Sequence, residues 1–415
     1  MRAILLTILI ALGVMTGPAS AQIALPTGQV RVPELGPIVS DATGTLDTTL
    51  EGLDAATQRT ARRLLQARER SLNRLLRNNR NVIERDSDGD LARRGEVLAM
   101  DIAADDLLAL SKAGFVVLES ESIEGLDIAV TRFKTPSNMD LDDAEELARK
   151  LAPNADITAD NLHFQSGTGL KGVVTGVALQ SSARIGTEVG IIDGAPAKHL
   201  GSLPKKLFAS GQMVPSDHGT NVASLLKGAG VMRLRAADVY GDDPAGGNAL
   251  ALARALGWLT ASGSKVVTIS LVGPRNAVVE RAVKSAQAQG VVIVAAVGND
   301  GPAAPAAYPA SYNGVVAVTG VDKRRRALIE AGRALHLDYA APGADIYGLD
   351  AKGAVRKLRG TSFATPLVAA RLAAAMDRGT NWRVTLDAEA RDLGKKGHDE
   401  TFGRGLVCET CAQGK

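Results

Sequence analysis

The chain is 415 residues long, enough for more than one hydrophobic core. Its 48 basic and 45 acidic side chains leave a formal charge of +3, too small at this length to indicate nucleic acid or acidic substrates as partners. The only cysteines, Cys408 and Cys411, stand in the tail VCETCAQGK; in an oxidising compartment they are expected to form a small disulfide, since two ligands alone make a poor zinc site.

The first residues, MRAILLTILIALGVMTGPASAQ, place Arg2 before an apolar run and end on the small residues Ala19, Ser20 and Ala21. This is the pattern of a cleaved signal peptide over residues 1–21, and it predicts export, to the periplasm or the medium. The apolar run is well short of the roughly 20 residues that span a bilayer, no later run is longer, and no Cys follows the cut to carry a lipid, so no stable membrane anchor is expected.

Residues 22–46 are rich in Pro, Gly and Thr and read as an extended lead. Over 53–83 the residues Leu64, Leu65, Leu72, Leu75, Leu76, Val82 and Ile83 recur at helical spacing, with arginines on the other faces; this predicts a basic amphipathic helix whose arginines form a solvated face. Lead and helix together make up the segment 22–90. Its last part, ERDSDGDLARRG, resembles the start of a calcium loop through Asp86, Asp88 and Asp90, but Gly89 is misplaced and Val97 stands where a closing Glu is needed, so a polar turn is expected.

Residues 91–165 change period in a definite order: strand EVLAMDI, helix DDLLALSKAG, strands FVVLESE and LDIAVTRF, helix LDDAEELARKL, strand DITADNLHF. The order βαββαβ predicts a small ferredoxin-like α+β module, a four-stranded antiparallel sheet with two helices on one face. A Gly/Ser-rich connection covers 166–184. From 185 to 407 the apolar strands EVGIID, RLRAADVY, KVVTISLVG, GVVIVAAVGN and GVVAVTGVD alternate with helices such as ALALARALGWLTASG and NAVVERAVKSAQAQG. That alternation predicts an α/β domain with a parallel sheet covered on both faces, whose sites form at the carboxyl ends of the strands. Residues 408–415 form the tail.

Four polar residues fall at strand ends or helix starts: Asp193 in GIID, His218 in DHGTN, Asn299 in VAAVGN and Ser362 in RGTSFATPLVAA. Singly they fit a turn Asp, a helix-start His, a turn Asn and a helix cap. Together they are the residue types that acyl transfer needs: a nucleophile, its base, an acid that orients the base and a donor for the oxyanion. Their order Asp, His, Ser differs from the His, Asp, Ser of chymotrypsin-type proteases, and GTSFA lacks the G-x-S-x-G elbow of α/β-hydrolases.

The blocks EVGIID, DHGTNVASLL, VVTISLVG, VVIVAAVGNDG, YPASYNGVVAVTGVD and GTSFATPLVAA resemble the subtilisin-like serine peptidases (subtilases) in sequence and order, as does the closing DETFGRGLV. The resemblance covers about 187–407 and implies a subtilisin-like fold, a triad of Asp193, His218 and Ser362, and Asn299 with the Ser362 N–H as oxyanion hole. It further implies Ser270, Leu271, Val272, Gly273, Ala296, Gly298 and Ala307 as substrate-facing residues. Asp217 reads as a turn acid, and His163, His199, His336 and His398, which lack the HGT context, as exposed or structural. The chain departs from the family pattern where Gly194 and Ala195 follow the aspartate in place of a hydroxyl residue and Gly, and where Asn221 replaces a second, non-catalytic histidine. It also has Val272 where Gly is usual, which with Ala307 points to a narrowed primary pocket and a preference for small or medium apolar side chains.

By resemblance the βαββαβ module is a pro-domain that assists folding and inhibits by laying its last strand in the cleft, with ITADNLHFQSG as that strand and the processing region. The expected function is an exported serine endopeptidase made as a zymogen, acting on proteins or peptides, with its own pro-domain as intramolecular partner. No cofactor is required; calcium often stabilises the family, but no ligand set stands out. The expectation of a different class is a catalytically silent binding or scaffold protein of subtilase form, motivated by the altered surroundings of Asp193.

Overall fold

The computed structural model describes residues 55–166, 168–169 and 184–411. The segment expected to be a signal peptide, the expected lead and most of the 166–184 connection lie outside the described residues. Helix α1 (Ala55–Asn78) buries Ala61 and Leu72. It ends earlier than the periodicity predicts because Asn79 turns its own side chain back, Nδ2 donating to Leu75 O at 2.9 Å, in competition with the next helical bonds. Ile83 enters strand β1 (Ile83–Arg85) instead, which pairs antiparallel with the start of β2 (Leu91–Met100). The polar turn between them is built on Asp86, whose Oδ1 accepts from the N–H groups of Asp88 and Asp90 at 3.1 and 2.8 Å.

After β2 come α2 (Ala104–Lys112), β3 (Val116–Ile123), β4 (Ile128–Lys134), α3 (Leu141–Leu151) and β5 (Asp156–Asn161). Asp140 caps α3 by accepting from Asp143 N at 3.1 Å, and the acidic first turn and basic last turn suit the helix dipole. The sheet runs β5-β2-β4-β3, all antiparallel, the order of a split βαβ unit. It has five strands where the pattern gave four, because β1 extends it beside the first half of β2.

Side chains alternate across this sheet. Val97, Ala99, Phe133, Ile157 and Ala159 pack under α2 and α3 with Leu110, Leu141 and Ala148. Leu98, Met100, Ile123, Ile128 and Val130 face the other way and share one core with α5 (Ala249–Ala261) and α6 (Ala277–Ala288) of the larger domain. The ends of both helices are bound as well. Asp160 Oδ1 accepts from Leu250 N at 2.9 Å, and the cap residue Asn276 donates Nδ2 to Ala159 O and Asn161 Oδ1, each at 2.9 Å. The module therefore sits on two helix N-termini, where acceptors are favoured.

Beyond β5 the chain forms two short strands, β6 (Phe164–Gln165) and β7 (Thr168–Gly169). The larger domain then sets out β8 (Val189–Asp193), β9 (Lys205–Leu207), α4 (Asp217–Gly228), β10 (Leu234–Asp238), α5, β11 (Val266–Ile269), β12 (Leu271–Val272), α6, β13 (Val292–Ala296) and β14 (Val316–Val321). It closes with β15 (Tyr339–Pro342), the hairpin β16 (Ala344–Leu349) and β17 (Val355–Arg359), α7 (Thr361–Asp377) and α8 (Trp382–Glu389). Seven parallel strands make the main sheet in the order β15-β14-β13-β11-β8-β10-β9. Its strands are apolar at consecutive positions because both faces are covered, one by α5 and α6, the other by α4 and α7. The order reverses around β8 and β11, and the site lies at their carboxyl ends.

Candidate active site

Asp193, the last residue of β8, is completely buried. Its Oδ1 accepts from Gly194 N at 2.7 Å, and its two oxygens lie 2.8 and 3.0 Å from His218 Nδ1. A carboxylate only accepts, so Nδ1 carries the proton and Nε2 is the basic nitrogen. Nε2 is buried and has no hydrogen-bond partner among the described residues. His218 is held there by the first turn of α4, which Ser216 caps by accepting from Gly219 N at 3.2 Å, while Phe363 packs against the ring with centroids 5.3 Å apart.

Ser362 is the second residue of α7. The cap of this helix is Gly360 and no side chain caps it, so the helix-cap reading of Ser362 does not hold. Its hydroxyl leaves the helix to donate to Ser270 O at 3.0 Å and lies 2.7 Å from Ser166 Oγ, not on His218 Nε2. Ser270 Oγ in turn donates to Ser362 O at 2.9 Å. Asn299 accepts from Thr361 N at 3.0 Å through Oδ1, which orients its amide and leaves Nδ2 buried without a partner among the described residues.

The cleft holds the chain's own residues. Strand β6 pairs antiparallel with β12, Gln165 opposite Leu271 and Phe164 opposite Val272. Ser166 N donates to Ser270 O at 3.3 Å, and the carbonyl of Ser166 accepts from Ser362 N at 3.2 Å. Further back, His163 N donates to Gly247 O at 2.8 Å and Tyr240 OH donates to His163 O at 2.7 Å. Beyond Ser166, β7 pairs with β17. The segment thus crosses Ser362 with main-chain bonds on both sides, as an added strand does.

The ring of His163 lies against Gly273, where a Cβ would stand 2.5 Å from its Cδ2. Burial pushes the imidazole down to about 4, so it is neutral here. Gly273 also exchanges two main-chain bonds with Tyr308, at 2.9 and 3.1 Å. Val272 and Ala307 line a cavity of about 510 Å³ next to Ser166, and Val272 closes in on Gly298, where a Cβ would be 3.3 Å from its Cγ1. Ser270, Leu271 and Ala296 are buried beneath the occupied cleft, and none of them lines the cavity. Helix α1 forms the cavity's outer wall through Leu64, Arg68 and Leu72; Arg68 Nε donates to Asp300 Oδ2 at 3.1 Å, while burial pushes the Asp300 carboxyl up. Part of the expected solvated arginine face is therefore spent at the cleft.

The remaining candidates lie apart. Asp217 accepts from Ala351 N, and His336 and His398 bond the carbonyls of Val315 and Leu337. Cys408 and Cys411 are joined in a disulfide. Gln165 and Ser166 lie in the stretch ITADNLHFQSG expected to enter the cleft, but only the fold shows their register against Ser362; Arg68 and Asp300 carry no signal of their own in the sequence. Among the described residues no group of three or more His, Cys, Asp or Glu could hold a metal ion, and no helix is long and apolar enough to cross a membrane.

A parallel sheet with a buried Asp–His pair, a helix-borne serine and an asparagine amide at its carboxyl edge defines a serine hydrolase of the α/β class. The chain belongs to the subtilase family of serine peptidases: residues 210–405 match the model described as Subtilase family, and subtilisin DY of Bacillus licheniformis is 31% identical over 252 residues, 54% of this chain and 90% of that protein. The minor extracellular protease Epr of Bacillus subtilis is 30% identical over 240 residues, 53% of this chain and only 37% of Epr. Among solved structures, fervidolysin from Fervidobacterium pennivorans, a keratinolytic enzyme related to subtilisin, shares the fold with a TM-score of 0.63 at 18% identity, over 77% of this chain and 61% of its own.

Proposed function

We propose that this chain is the precursor of an exported serine endopeptidase that cuts itself after Ser166 and then hydrolyses other proteins or peptides. The observation that carries the reading is the Ser166 carbonyl on the N–H of Ser362, in a segment paired to β12 as a peptide substrate would be. For the reaction, Ser362 Oγ turns from Ser270 O to His218 Nε2, which takes its proton. The oxygen attacks the Ser166 carbonyl carbon, and the oxyanion is held by Ser362 N and Asn299 Nδ2. His218 returns the proton to the Gly167 nitrogen as the 166–167 bond breaks, leaving Ser166 esterified to Ser362. Water, deprotonated by His218, releases the acyl group. Asp193 keeps the proton on Nδ1 and stabilises the imidazolium.

No cofactor enters this chemistry, and calcium, if the protein uses it, has no ligand set assigned. The module over 91–165 inhibits until cleavage by occupying the cleft, and the small Ser166 with the Val272 wall supports a preference for small residues at the cut. Export rests on residues 1–21. The test is to label wild type and Ser362→Ala with a fluorophosphonate and sequence the mature N-terminus. Single labelling and a new terminus at Gly167, both lost in Ser362→Ala, are expected; identical behaviour of the two proteins would sink the enzyme, and a terminus elsewhere would sink the site.

A further inference from the structure

The carboxylate of Asp193 has three partners. Two are His218 Nδ1 and the Gly194 N–H; the third is the side chain of Gln165, whose Nε2 donates to Asp193 Oδ1 at 3.0 Å and to Ser216 Oγ at 3.3 Å. The Asp193 carboxylate fixes which end of the amide faces it, because it has no proton to give. At the next residue the larger domain supplies its backbone N–H and no side-chain donor. Position 194 is Gly, and a Cβ there would lie 2.5 Å from Ser216 Cβ, 2.7 Å from Ser216 Oγ and 3.3 Å from the Gln165 nitrogen itself. The niche beside the aspartate is thus shaped by Gly194 and Ser216 and filled by the residue preceding Ser166. A buried carboxylate short of a donor is costly, so the group that supplies one is selected.

We propose that the protein reads a side-chain amide one residue before the cut, through a subsite made of Asp193, Gly194 and Ser216, so that the substrate completes the hydrogen bonding of the aspartate that orients His218. This rests on the reading of Ser166 as the residue whose carbonyl is attacked. Methionine at that place keeps the length of glutamine and brings no donor. Glutamate brings a second carboxylate against Asp193. The matured protein is given peptides copying residues 160–169, with Gln165 kept or replaced as Gln165→Met and Gln165→Glu, and kcat and KM are measured separately from pH 6 to 9, beside fluorophosphonate labelling of the same preparation. Expected is a fall in kcat/KM of about tenfold for Met and about a hundredfold for Glu, the ratios that losing a charge-assisted hydrogen bond and then opposing it correspond to. The loss with the Met peptide falls mainly on kcat, because the missing bond is to the aspartate that orients His218. Labelling with all three peptides cut within twofold of one another would overturn the inference alone; a loss confined to KM would overturn the part given to Asp193. No labelling and no cleavage of any peptide would overturn the peptidase reading and this inference together.

Discussion

The amide of Asn299 is tied at its oxygen to Thr361 N and open at its nitrogen, so one rigid bond sets the direction of the other. In the proposed reaction such a preorganised donor would stabilise charge that appears only in the transition state, and its removal would lower kcat far more than it raised KM. Asn299→Ala is expected to reduce kcat of the matured protein by about 10² to 10³ with KM changed less than about threefold; steady-state kinetics on a single peptide checks this, and an effect mainly on KM would show that the amide binds substrate instead. Residues 193, 218, 299 and 362 stand out in the sequence because each sits in a short block whose chemistry is local. Ser166 and Gln165 do not, because their importance lies in the register of β6 against β12 and in the distance to Ser362, and neither is written in their own neighbours.

Among the elements, α1 has the largest net charge, seven arginines against one glutamate, and the least obvious place. Its arginines draw attention, yet magnitudes favour its leucines: the Arg68–Asp300 pair is partly exposed and such pairs contribute up to about 1 kcal/mol, whereas truncating a buried leucine costs about 2 to 5 kcal/mol. Leu72 packs with Ile83, Leu91 and Leu162, the residues that bring the chain into the cleft. In a Ser362→Ala background, Leu72→Ala should speed hydrogen exchange of the amides of residues 55–78 by tenfold or more, and Arg68→Ala by about fivefold at most; the opposite ranking would mean that the ion pair anchors the helix. Helical spacing makes α1 legible, but not its end, since Val82 and Ile83 keep the spacing by chance after Asn79 has stopped the helix. Strands β9 and β15 and the β16–β17 hairpin escape the reading because they are short and carry Ala, Gly, Lys or Arg where alternation would have to show.

In the whole molecule, the order of the two domains follows from two periodicities, and the face by which they join leaves only a faint trace. The run VLAM in β2 is apolar at consecutive positions, which in an antiparallel strand means cover on both sides, but nothing in it names α5 and α6 as the cover. Asp160 at that junction is fully buried, and burial pushes its carboxyl up to about 7 against the pull of Arg93 and Arg132. The folded chain therefore holds this proton where the unfolded chain has lost it. The contribution is present below about pH 4 and is lost as pH rises through about 7. Asp160→Asn keeps the acceptor for Leu250 N and removes the charge, so in the Ser362→Ala chain it should raise Tm at pH 8 by about 2 °C or more and leave it nearly unchanged at pH 4; equal gains at both pH values would show that the charge is not the cause. Leu98, Met100, Ile123, Ile128 and Val130, which meet α5 and α6, have a further consequence for the fate of whatever leaves. If the piece ending at Ser166 departs, one entire face of its sheet turns from interior to exterior, an apolar patch of the kind that clumps or attracts other proteases. Departure would then work as a ratchet, with rebinding in a race against loss of the fragment.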